Sequence, residues 1–415
     1  MIAPPTRALR VFLVVGEHSG DQLGFKLMRA LREAVDGAVA FFGTGGDAME
    51  AEGLRSLFPL ADIAVMGVLP VIARLPKLLA RIRQTARAVV ATRPDVLVIV
   101  DSPDFTHRVA RLARRRLPDL PVVDYVSPSV WAWRPGRARA MRAYVDCLLA
   151  LLPFEPEAHR RLGGPPCFYV GHPLIERLAE LRPDAAEAAR RAAAPPLIVV
   201  LPGSRRSVIS RMIDDFGAAL AMLAREVGPV EAVVPTFPHL AAEIAGRVAA
   251  WPSPARVVVG EAAKFAAFRG ARAALAASGT VTLELALGGV PMVGAYKVSR
   301  FEEPLKYFVP IPPLILLPNL ILGERAIPEI LQGECTPENL ARALADVVRE
   351  GAPREGQLAA LARLDGLMRL PDGDAPSERA ARLVLRTAHG RATDAPPQWG
   401  VDDQAAANRP AAPRR

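Results

Sequence analysis

The chain has 415 residues, 51% of them hydrophobic and 23% charged, so it is too long for one small module and too apolar for global disorder. Its 52 basic and 43 acidic residues give a net charge of +9, which fits a solvated surface, an anionic membrane or phosphorylated substrates. The mean hydropathy of +0.19 suggests a lipid-facing surface, and the lack of a basic run interleaved with aromatics argues against a nucleic-acid partner.

Short apolar runs alternate with longer amphipathic stretches in the first half of the chain. Helical patterns at 22–35 and 78–91 separate runs that are typical of buried strands. This alternation predicts a parallel sheet with helices on both faces. The predicted strands are 11–15, 39–42, 96–100, 122–126 and 148–152.

The same pattern restarts after an Ala-, Arg- and Pro-rich stretch at 177–196. We therefore expect an α/β protein with two doubly wound, Rossmann-like domains facing a cleft, and a linker near 175–182. A last helix is predicted at 377–388, followed by a disordered tail. The strands predicted in the second half are 197–201, 232–235, 256–259, 273–277 and 292–295.

The cysteines give no sign of a metal or disulfide site, since Cys147, Cys167 and Cys335 are scattered and form no CxxC pair. The first apolar run is too short for a signal peptide, and no uncharged run of about 18 apolar residues appears. We expect a cytoplasmic protein that requires no metal ion or cofactor.

Three motifs follow predicted strands of the first half. GEHSGD at 16–21 contains Glu17, Ser19 and Gly20, and it either forms a ligand loop or caps a helix. The GTGGD run at 43–47 fits a cleft loop and a simple turn equally well. In DSPDF at 101–105, Asp101 is placed for a general base and Asp104 is assigned to the acceptor side of the cleft. The alternative is that one of the two aspartates, such as Asp104, caps the next helix.

Two tryptophans lie close together in a fourth motif, YVSPSVWAWR at 125–134. Ser127, Trp131 and Trp133 belong to this Arg-rich loop. The rings either line an acceptor pocket or anchor the core, and we expect an anchoring role for at least one of them.

LPGSRRS at 201–207 has the composition of a diphosphate cradle. Gly203, Ser204 and Arg205 lie between a strand and a helix, where backbone N–H groups and a guanidinium can meet a phosphate. The alternative is an ordinary strand-to-helix turn with a solvated arginine. The motif lacks the GK[ST] ending of a P-loop, which disfavours ATP hydrolysis.

A second donor motif, ASGTVTLE at 277–284, follows another predicted strand. Ser278, Gly279 and Thr280 offer N–H and hydroxyl donors to phosphate, and Glu284 can accept hydrogen bonds from ribose hydroxyls. The alternative is a helix cap followed by a solvent-facing glutamate.

The order of the motifs resembles that of the lipid-A-disaccharide synthase family from about residue 8 to residue 388. This resemblance implies a GT-B-type glycosyltransferase, an inverting hexosyltransferase of lipid A biosynthesis. Its substrates would be UDP-2,3-diacylglucosamine and 2,3-diacylglucosamine 1-phosphate (lipid X), and its products the β-1,6 disaccharide 1-phosphate and UDP. The motifs are GEHSGD, AVMGVLPVIARLPKLL, DSPDF, YVSPSVWAWR, LPFE, VGHP, LPGSR, ASGTVTLE, LPNLILG and LQGEC.

The resemblance also implies a domain plan and a homodimer as one possible assembly. An acceptor and membrane-facing domain would span 1–175, and a UDP-sugar-binding domain 176–376. A helix at 377–389 would cross back to the first domain, leaving a tail at 390–415.

By the same resemblance, Asp101 would take the proton from the acceptor's 6-hydroxyl, and Glu17 and Ser19 would lie in the cleft. Arg205 would stabilise the leaving diphosphate, and Glu284 would hold the ribose. Glu329 is expected on a helix after LPNLILG. The UDP-sugar site as a whole would comprise Gly203, Ser204, Arg205, Ser278, Gly279, Thr280, Glu284, Asn319 and Glu329.

The segment VLPVIARLPKLL at 68–79 is predicted to attach the protein to the inner face of the cytoplasmic membrane, because apolar residues alternate there with Arg74 and Lys77. Pro70 and Pro76 favour a broken, loop-like projection over a regular helix. The alternative is an amphipathic face packed on its own sheet. The membrane-facing residues would be Leu69, Val71, Ile72, Leu75, Leu78 and Leu79.

Two other functions fit parts of the sequence. A UDP-sugar 2-epimerase, or another nucleotide-sugar enzyme of the same fold, would not need an apolar acceptor surface. A non-catalytic peripheral lipid-binding protein would not need Asp101, Arg205 and Glu284 together.

Overall fold

The structure is a computed structural model that describes residues 7–35, 38–63, 68–297, 313–370 and 373–390, with only the backbone of 68–73. The tail predicted after residue 390 lies outside these residues. The described chain divides into two compact units. One runs to Pro173 and includes the segment that begins at Leu370, and the other runs from Leu174 to Arg369.

The first unit is built on a six-stranded parallel sheet in the order β2-β1-β3-β4-β5-β6. Its central strands are buried on both faces, as their continuous apolar sequences predict. The chain continues to β2 on one side of β1 and to β3 on the other, so β1 and β3 form the topological switch point. The strands are β1 (Leu9–Val15), β2 (Val39–Thr44), β3 (Val96–Val100), β4 (Val122–Tyr125), β5 (Cys147–Ala150) and β6 (Cys167–Tyr169).

Helices connect the strands of this unit: α1 (His18–Ala34), α2 (Asp47–Ala51), α3 (Val68–Thr92), α4 (Pro103–Arg114), α5 (Gly136–Met141) and α6 (Glu155–Arg161). A 3-10 turn at Leu60–Asp62 precedes α3, and another at Pro173–Arg177 follows the sheet.

Helix α3 continues through both of its prolines, so the predicted broken projection is wrong. Pro70 lies in the first turn, where a backbone N–H has no intrahelical partner in any case. Pro76 alone interrupts the hydrogen-bond ladder of the helix interior. Later turns bury Ile82 and Val89 in the core of the unit, and this packing stabilises the helix despite the missing bond.

The second unit has its own six-stranded parallel sheet, in the order β12-β11-β10-β7-β8-β9. The chain begins at β7, moves outward to β9, and returns to β10 on the other side. The switch point is therefore between β7 and β10. The strands are β7 (Leu197–Leu201), β8 (Glu231–Thr236), β9 (Ala255–Val259), β10 (Ala273–Ala277), β11 (Met292–Tyr296) and β12 (Glu329–Leu331).

The helices of the second unit cover this sheet. They are α7 (Leu178–Leu181), α8 (Ala185–Ala192), α9 (Arg206–Val227), α10 (Ala241–Val248), α11 (Glu261–Gly270), α12 (Val281–Leu287), α13 (Leu317–Leu322), α14 (Pro337–Val348) and α15 (Ala352–Met368). Among the described residues of this unit, 3-10 turns lie at Pro238–Leu240 and Gln332–Glu334.

The last described helix, α16 (Pro376–Ala388), belongs to the first unit and packs against α1. Ala380, Ala381 and Val384 are fully buried in the core of that unit. The two alanines let the helix backbones approach closely. The predicted return of the last helix to the first domain is confirmed.

Candidate active site

Polar side chains meet at the carboxyl ends of β1 and β3, the switch point of the first sheet. The Ser19 hydroxyl donates to Asp101 Oδ2 at 3.2 Å, and the Ser102 hydroxyl donates to Glu17 Oε1 at 3.0 Å. The backbone N–H of Ser102 donates to Asp101 Oδ1 at 2.7 Å. Both oxygens of the half-buried Asp101 carboxylate are thereby oriented, and each keeps a lone pair that can accept a substrate proton.

The turn that carries this carboxylate is strained. Asp101 and Ser102 have φ values of +54° and +45°, a region that non-glycine residues seldom adopt. The Thr106 hydroxyl holds the turn by donating to the Asp101 carbonyl oxygen at 2.7 Å. Gly16 lies directly against it, since a Cβ there would be 2.3 Å from Ser102 Cβ. Strain that the surroundings maintain in this way is typical of functional turns.

Gly20 and Asp21, the last two residues of GEHSGD, contribute to packing and helix capping. A Cβ at Gly20 would lie 3.3 and 3.4 Å from atoms of the strands below, so glycine allows α1 to pack closely. The Asp21 carboxylate accepts hydrogen bonds from the backbone N–H groups of Gly46, Ala48 and Met49 at 2.7–3.2 Å. It therefore caps α2, and it occupies the N–H groups that a ligand at the 43–47 loop would need.

Asp104 does not cap its helix. The N-cap of α4 is Ser102, without a side-chain capping bond. The Asp104 side chain is 82% exposed, and its Oδ1 lies 3.5 Å from Arg137 Nη2. Asp104 is itself the second residue of α4, so its side chain does not occupy the N-cap position.

The tryptophan motif divides into an anchored ring and an open one. Trp131 packs edge to face on Phe154 with centroids 5.2 Å apart, and its indole N–H donates to Glu155 Oε1 at 3.3 Å. These two contacts hold the half-buried Trp131 ring in the first unit. Trp133 is 42% exposed, and the Arg134 guanidinium lies over one face of the ring, 5.2 Å from its centroid. A ligand could therefore contact the other face.

Ser127 belongs to a buried polar cluster that the sequence did not reveal. Its Oγ lies 2.9 Å from His159 Nε2. Burial raises the pKa of Glu155 to about 7, although a hydrogen bond from the Leu152 N–H opposes the rise. Burial also lowers the pKa of His159 to about 4. Glu155 is the last residue of the LPFE motif, and this motif was the feature of the sequence that could have indicated the cluster.

The loops after β7 and β10 lie side by side because these strands are neighbours in the second sheet. Gly203 has φ of +120°, and a Cβ there would be 2.9 Å from Val208 Cγ1. Ser204 and Arg205 are exposed, and Arg205 is the N-cap of α9. Within the described chain its guanidinium has no carboxylate at ion-pair distance, so it is free to meet a phosphate beside the helix N–H groups.

The β10 loop adds donors and a carboxylate to the same edge of the sheet. Ser278 donates its backbone N–H to Ala295 O at 3.0 Å, while Gly279 and Thr280 are exposed. Glu284 lies in the first turn of α12 and forms an ion pair with Lys264 Nζ at 2.7 Å. The ammonium fixes the orientation of this carboxylate and leaves lone pairs for hydroxyl donors.

Asn319 and Glu329 bind each other and the chain around them. Glu329 lies on β12, so its predicted place on a helix is wrong; its backbone pairs beside β11 instead. Asn319 Nδ2 donates to Glu329 Oε1 at 2.8 Å, and its Oδ1 accepts from the Ile327 N–H at 2.9 Å. Glu329 also accepts from the N–H groups of Ile315 and Leu316 at 3.0–3.1 Å. Both side chains therefore fix the backbone before and after α13.

The predicted membrane segment is only partly covered by the structure. Leu75 is 42% exposed, whereas Leu78 and Leu79 are half-buried and pack against the core of the first unit. Lys77 Nζ is 2.6 Å from Asp62 Oδ1. The other predicted membrane contacts lie outside the described side chains: Leu69, Val71 and Ile72.

The described helices include none with the length and apolarity that crossing a membrane requires. Over the same residues, no three His, Cys, Asp or Glu side chains gather as metal ligands.

Known proteins resemble this chain in sequence and fold. Residues 11–365 match the family model of lipid-A-disaccharide synthetase. The lipid-A-disaccharide synthase of Nitrobacter hamburgensis is 57% identical over 380 residues, which cover 92% of this chain and 96% of that protein. The solved MnaA–UDP structure from S. aureus has a TM-score of 0.62 at 12% identity, covering 94% of this chain and 100% of that one.

A second solved structure, UDP-GlcNAc 2-epimerase from Neisseria meningitidis bound to UDP-GlcNAc, has a TM-score of 0.58 at 12% identity. It covers 92% of this chain and 100% of that chain. At such low identity these similarities concern the fold alone, and they confirm the predicted α/β architecture of GT-B type.

Proposed function

The chain belongs to the lipid-A-disaccharide synthetase family, and we propose that it joins UDP-2,3-diacylglucosamine to 2,3-diacylglucosamine 1-phosphate, with inversion and release of UDP. Membership makes it a glycosyltransferase of lipid A biosynthesis; the substrates and the stereochemistry are the proposal. The observation that supports this proposal most strongly is the position of the site residues at the switch points of the two sheets. Asp101 follows a strand at one switch point, and the Arg205 and Ser278–Thr280 loops follow the two strands of the other.

Asp101 is the proposed general base. Its carboxylate accepts the proton of the acceptor's 6-hydroxyl while that oxygen attacks the anomeric carbon of the donor. The bond from this carbon to the diphosphate breaks, and its electron pair leaves on the phosphate oxygen. One displacement forms the β-1,6 linkage with inversion, so no covalent enzyme intermediate is required.

Arg205 is the proposed stabiliser of the leaving UDP. Its guanidinium has no carboxylate partner among the described residues. Together with the N–H groups at the start of α9, it offers positive charge to the diphosphate as negative charge develops. The Ser278–Thr280 loop supplies further donors. Glu284, oriented by Lys264, accepts hydrogen bonds from the ribose hydroxyls.

We also propose peripheral attachment to the inner face of the cytoplasmic membrane through the start of α3. The acyl chains keep both substrates in a bilayer, so the enzyme has to act at its surface. The exposed Leu75 and the net charge of +9 support this location.

The direct test is to incubate the protein with both substrates and analyse the products by mass spectrometry. Disaccharide 1-phosphate and UDP in equal amounts are expected, and the anomeric coupling constant in NMR should report a β linkage. The Asp101→Asn variant should bind UDP normally and form no disaccharide. Epimerisation of UDP-GlcNAc without disaccharide formation would instead identify a UDP-sugar 2-epimerase.

A further inference from the structure

A cationic pocket of about 200 Å³ lies beside the Asp101 turn in the first unit. Arg108 and Arg111 of α4 line it, together with Arg134 at the end of the tryptophan motif and Arg137 of α5. Among the described residues, Asp104 is the one carboxylate in its lining. Four guanidinium groups against one carboxylate leave three positive charges, an arrangement suited to a doubly charged anion.

The pocket's arginines are poorly neutralised by the protein itself. In the described part of the chain, Arg108, Arg111 and Arg134 have no carboxylate at ion-pair distance. Arg137 Nη2 lies 3.5 Å from Asp104 Oδ1, but the Asp104 side chain is 82% exposed, so this ion pair neutralises little of the pocket's positive charge. Unpaired guanidinium groups that converge on one small pocket are favourable for an anionic ligand and unfavourable without one.

Arg111 is held in place by a hydrogen bond to a tyrosine that in turn contacts a buried histidine. Its Nη2 donates to the Tyr144 hydroxyl oxygen at 3.3 Å, and that hydroxyl lies 3.0 Å from His107 Nδ1. His107 Nε2 is 3.2 Å from Asp124 Oδ2 on β4. The Tyr144 hydroxyl can therefore accept from Arg111 while its own proton is directed to His107 Nδ1. Arg111 therefore loses little side-chain freedom when it binds a ligand.

An apolar groove of about 280 Å³ adjoins the pocket between α3 and α4. Leu79, Ile82 and Leu112 line it, and Arg108 and Arg111 belong to both cavities. The cationic pocket therefore continues directly into an apolar groove.

Resting on the proposed function, we propose that this pocket holds the phosphomonoester of the acceptor and that the groove takes the first part of one of its acyl chains. The phosphate carries nearly two negative charges and three acceptor oxygens, which match the guanidinium forks. The pocket is smaller than the 300 Å³ or more of a typical small-molecule site, so it fits a head group but not a whole acylated sugar.

The position of the pocket agrees with the chemistry of the acceptor. Pro103 lines the pocket and follows Asp101 by two residues, so their Cα atoms are at most about 7.6 Å apart. In the acceptor, the 1-phosphate and the 6-hydroxymethyl group are attached to the carbons on either side of the ring oxygen. A phosphate bound among the arginines thus keeps the 6-hydroxyl within one sugar ring of the proposed base.

The test compares acceptors with and without the 1-phosphate, in neutral detergent micelles. For the unaltered enzyme, removal of the phosphate should raise the acceptor KM at least about tenfold. The Arg108→Gln/Arg137→Gln variant should show a raised KM for the phosphorylated acceptor and less than about threefold discrimination between the two. Its KM for the UDP-sugar should not change.

Arg116→Gln is the matched control, because Arg116 is an exposed arginine beyond the end of α4 that lines neither cavity. It should retain the discrimination of the unaltered enzyme. Equal discrimination in the double variant and the unaltered enzyme would overturn the proposal. An effect of the double variant that appears only when anionic phospholipid is added would also overturn it, since the pocket would then hold a lipid head group.

Calorimetry with glucosamine 1-phosphate separates this inference from the proposed function. Binding to the unaltered protein, at least about tenfold weaker in the double variant, supports the pocket even if no disaccharide is formed. Disaccharide formation without any such difference in binding or KM would leave the proposed function intact and refute the pocket.

Discussion

Replacing Gly16 by alanine should strongly lower the catalytic rate, although it alters no side chain that is proposed to contact substrate. The new Cβ would lie 2.3 Å from Ser102 Cβ and 2.6 Å from Ser102 Oγ. An ordinary contact needs about 3.5 Å, so the Asp101–Ser102 turn has to move by about 1.2 Å. A misplacement of about 1 Å can lower a rate about 100-fold, equivalent to about 2.7 kcal/mol in the activation free energy.

The assay is kcat for disaccharide formation, with UDP binding to the second unit and the melting temperature as controls. We expect kcat to fall about 100-fold while UDP affinity is unchanged. Gly246→Ala is the matched control, since a Cβ at this position in α10 has no neighbour within 4 Å. It should leave kcat unchanged and tend to raise the melting temperature.

A second substitution tests whether the clash itself is the cause. Ser102→Gly removes both atoms against which the new Cβ presses, and glycine suits the φ of +45° at this position. The Gly16→Ala/Ser102→Gly variant should recover to the activity of Ser102→Gly alone. A folded Gly16→Ala protein with kcat within threefold of normal would refute the reasoning.

Three further predictions concern other parts of the molecule. Arg205→Ala should lower turnover at least about 100-fold, or about 3 kcal/mol, in steady-state assays; near-normal turnover would remove Arg205 from the mechanism. Burial raises the pKa of Glu155 from 4.5 to about 7, so its contribution to stability is complete below pH 4.5 and is lost as the pH rises to about 7. Relative to the unaltered protein, the melting temperature of Glu155→Gln should therefore rise across this window and level off above it; parallel curves would contradict the assignment. Changing Leu69, Ile72 and Leu75 to Ser should release the protein from anionic vesicles in sedimentation assays, because each apolar side chain withdrawn from water contributes roughly 1.5–3 kcal/mol. A lower melting temperature with unchanged vesicle binding would mean that these residues pack in the fold.

Most of the fold could be predicted from the sequence because the central strands are buried on both faces of their sheets. The strands 96–100, 197–201 and 273–277 begin and end where predicted, since each is a continuous apolar run between clear helical patterns. The strands β6 and β12 were missed because three residues are too few to display a period.

The candidate site was predictable only in pieces. Asp101 and Arg205 stand out because each follows an apolar strand and precedes a helix. Which strands are neighbours depends on sheet order, and local sequence does not encode it. The role of Asp21 is equally non-local, since its carboxylate caps a helix that begins 26 residues later.

The return of α16 to the first unit has a consequence for biosynthesis. The ribosome completes the strands of this unit by residue 169, but it has to make the whole second unit before it reaches Pro376. At about 5–20 residues per second, the wait is roughly 10–40 s. During that time the first unit lacks the buried surface of Ala380, Ala381 and Val384 and exposes an apolar patch to chaperones and proteases. A nascent chain released before Pro376 never closes this core, so premature termination anywhere in the second half also leaves the first domain unfinished.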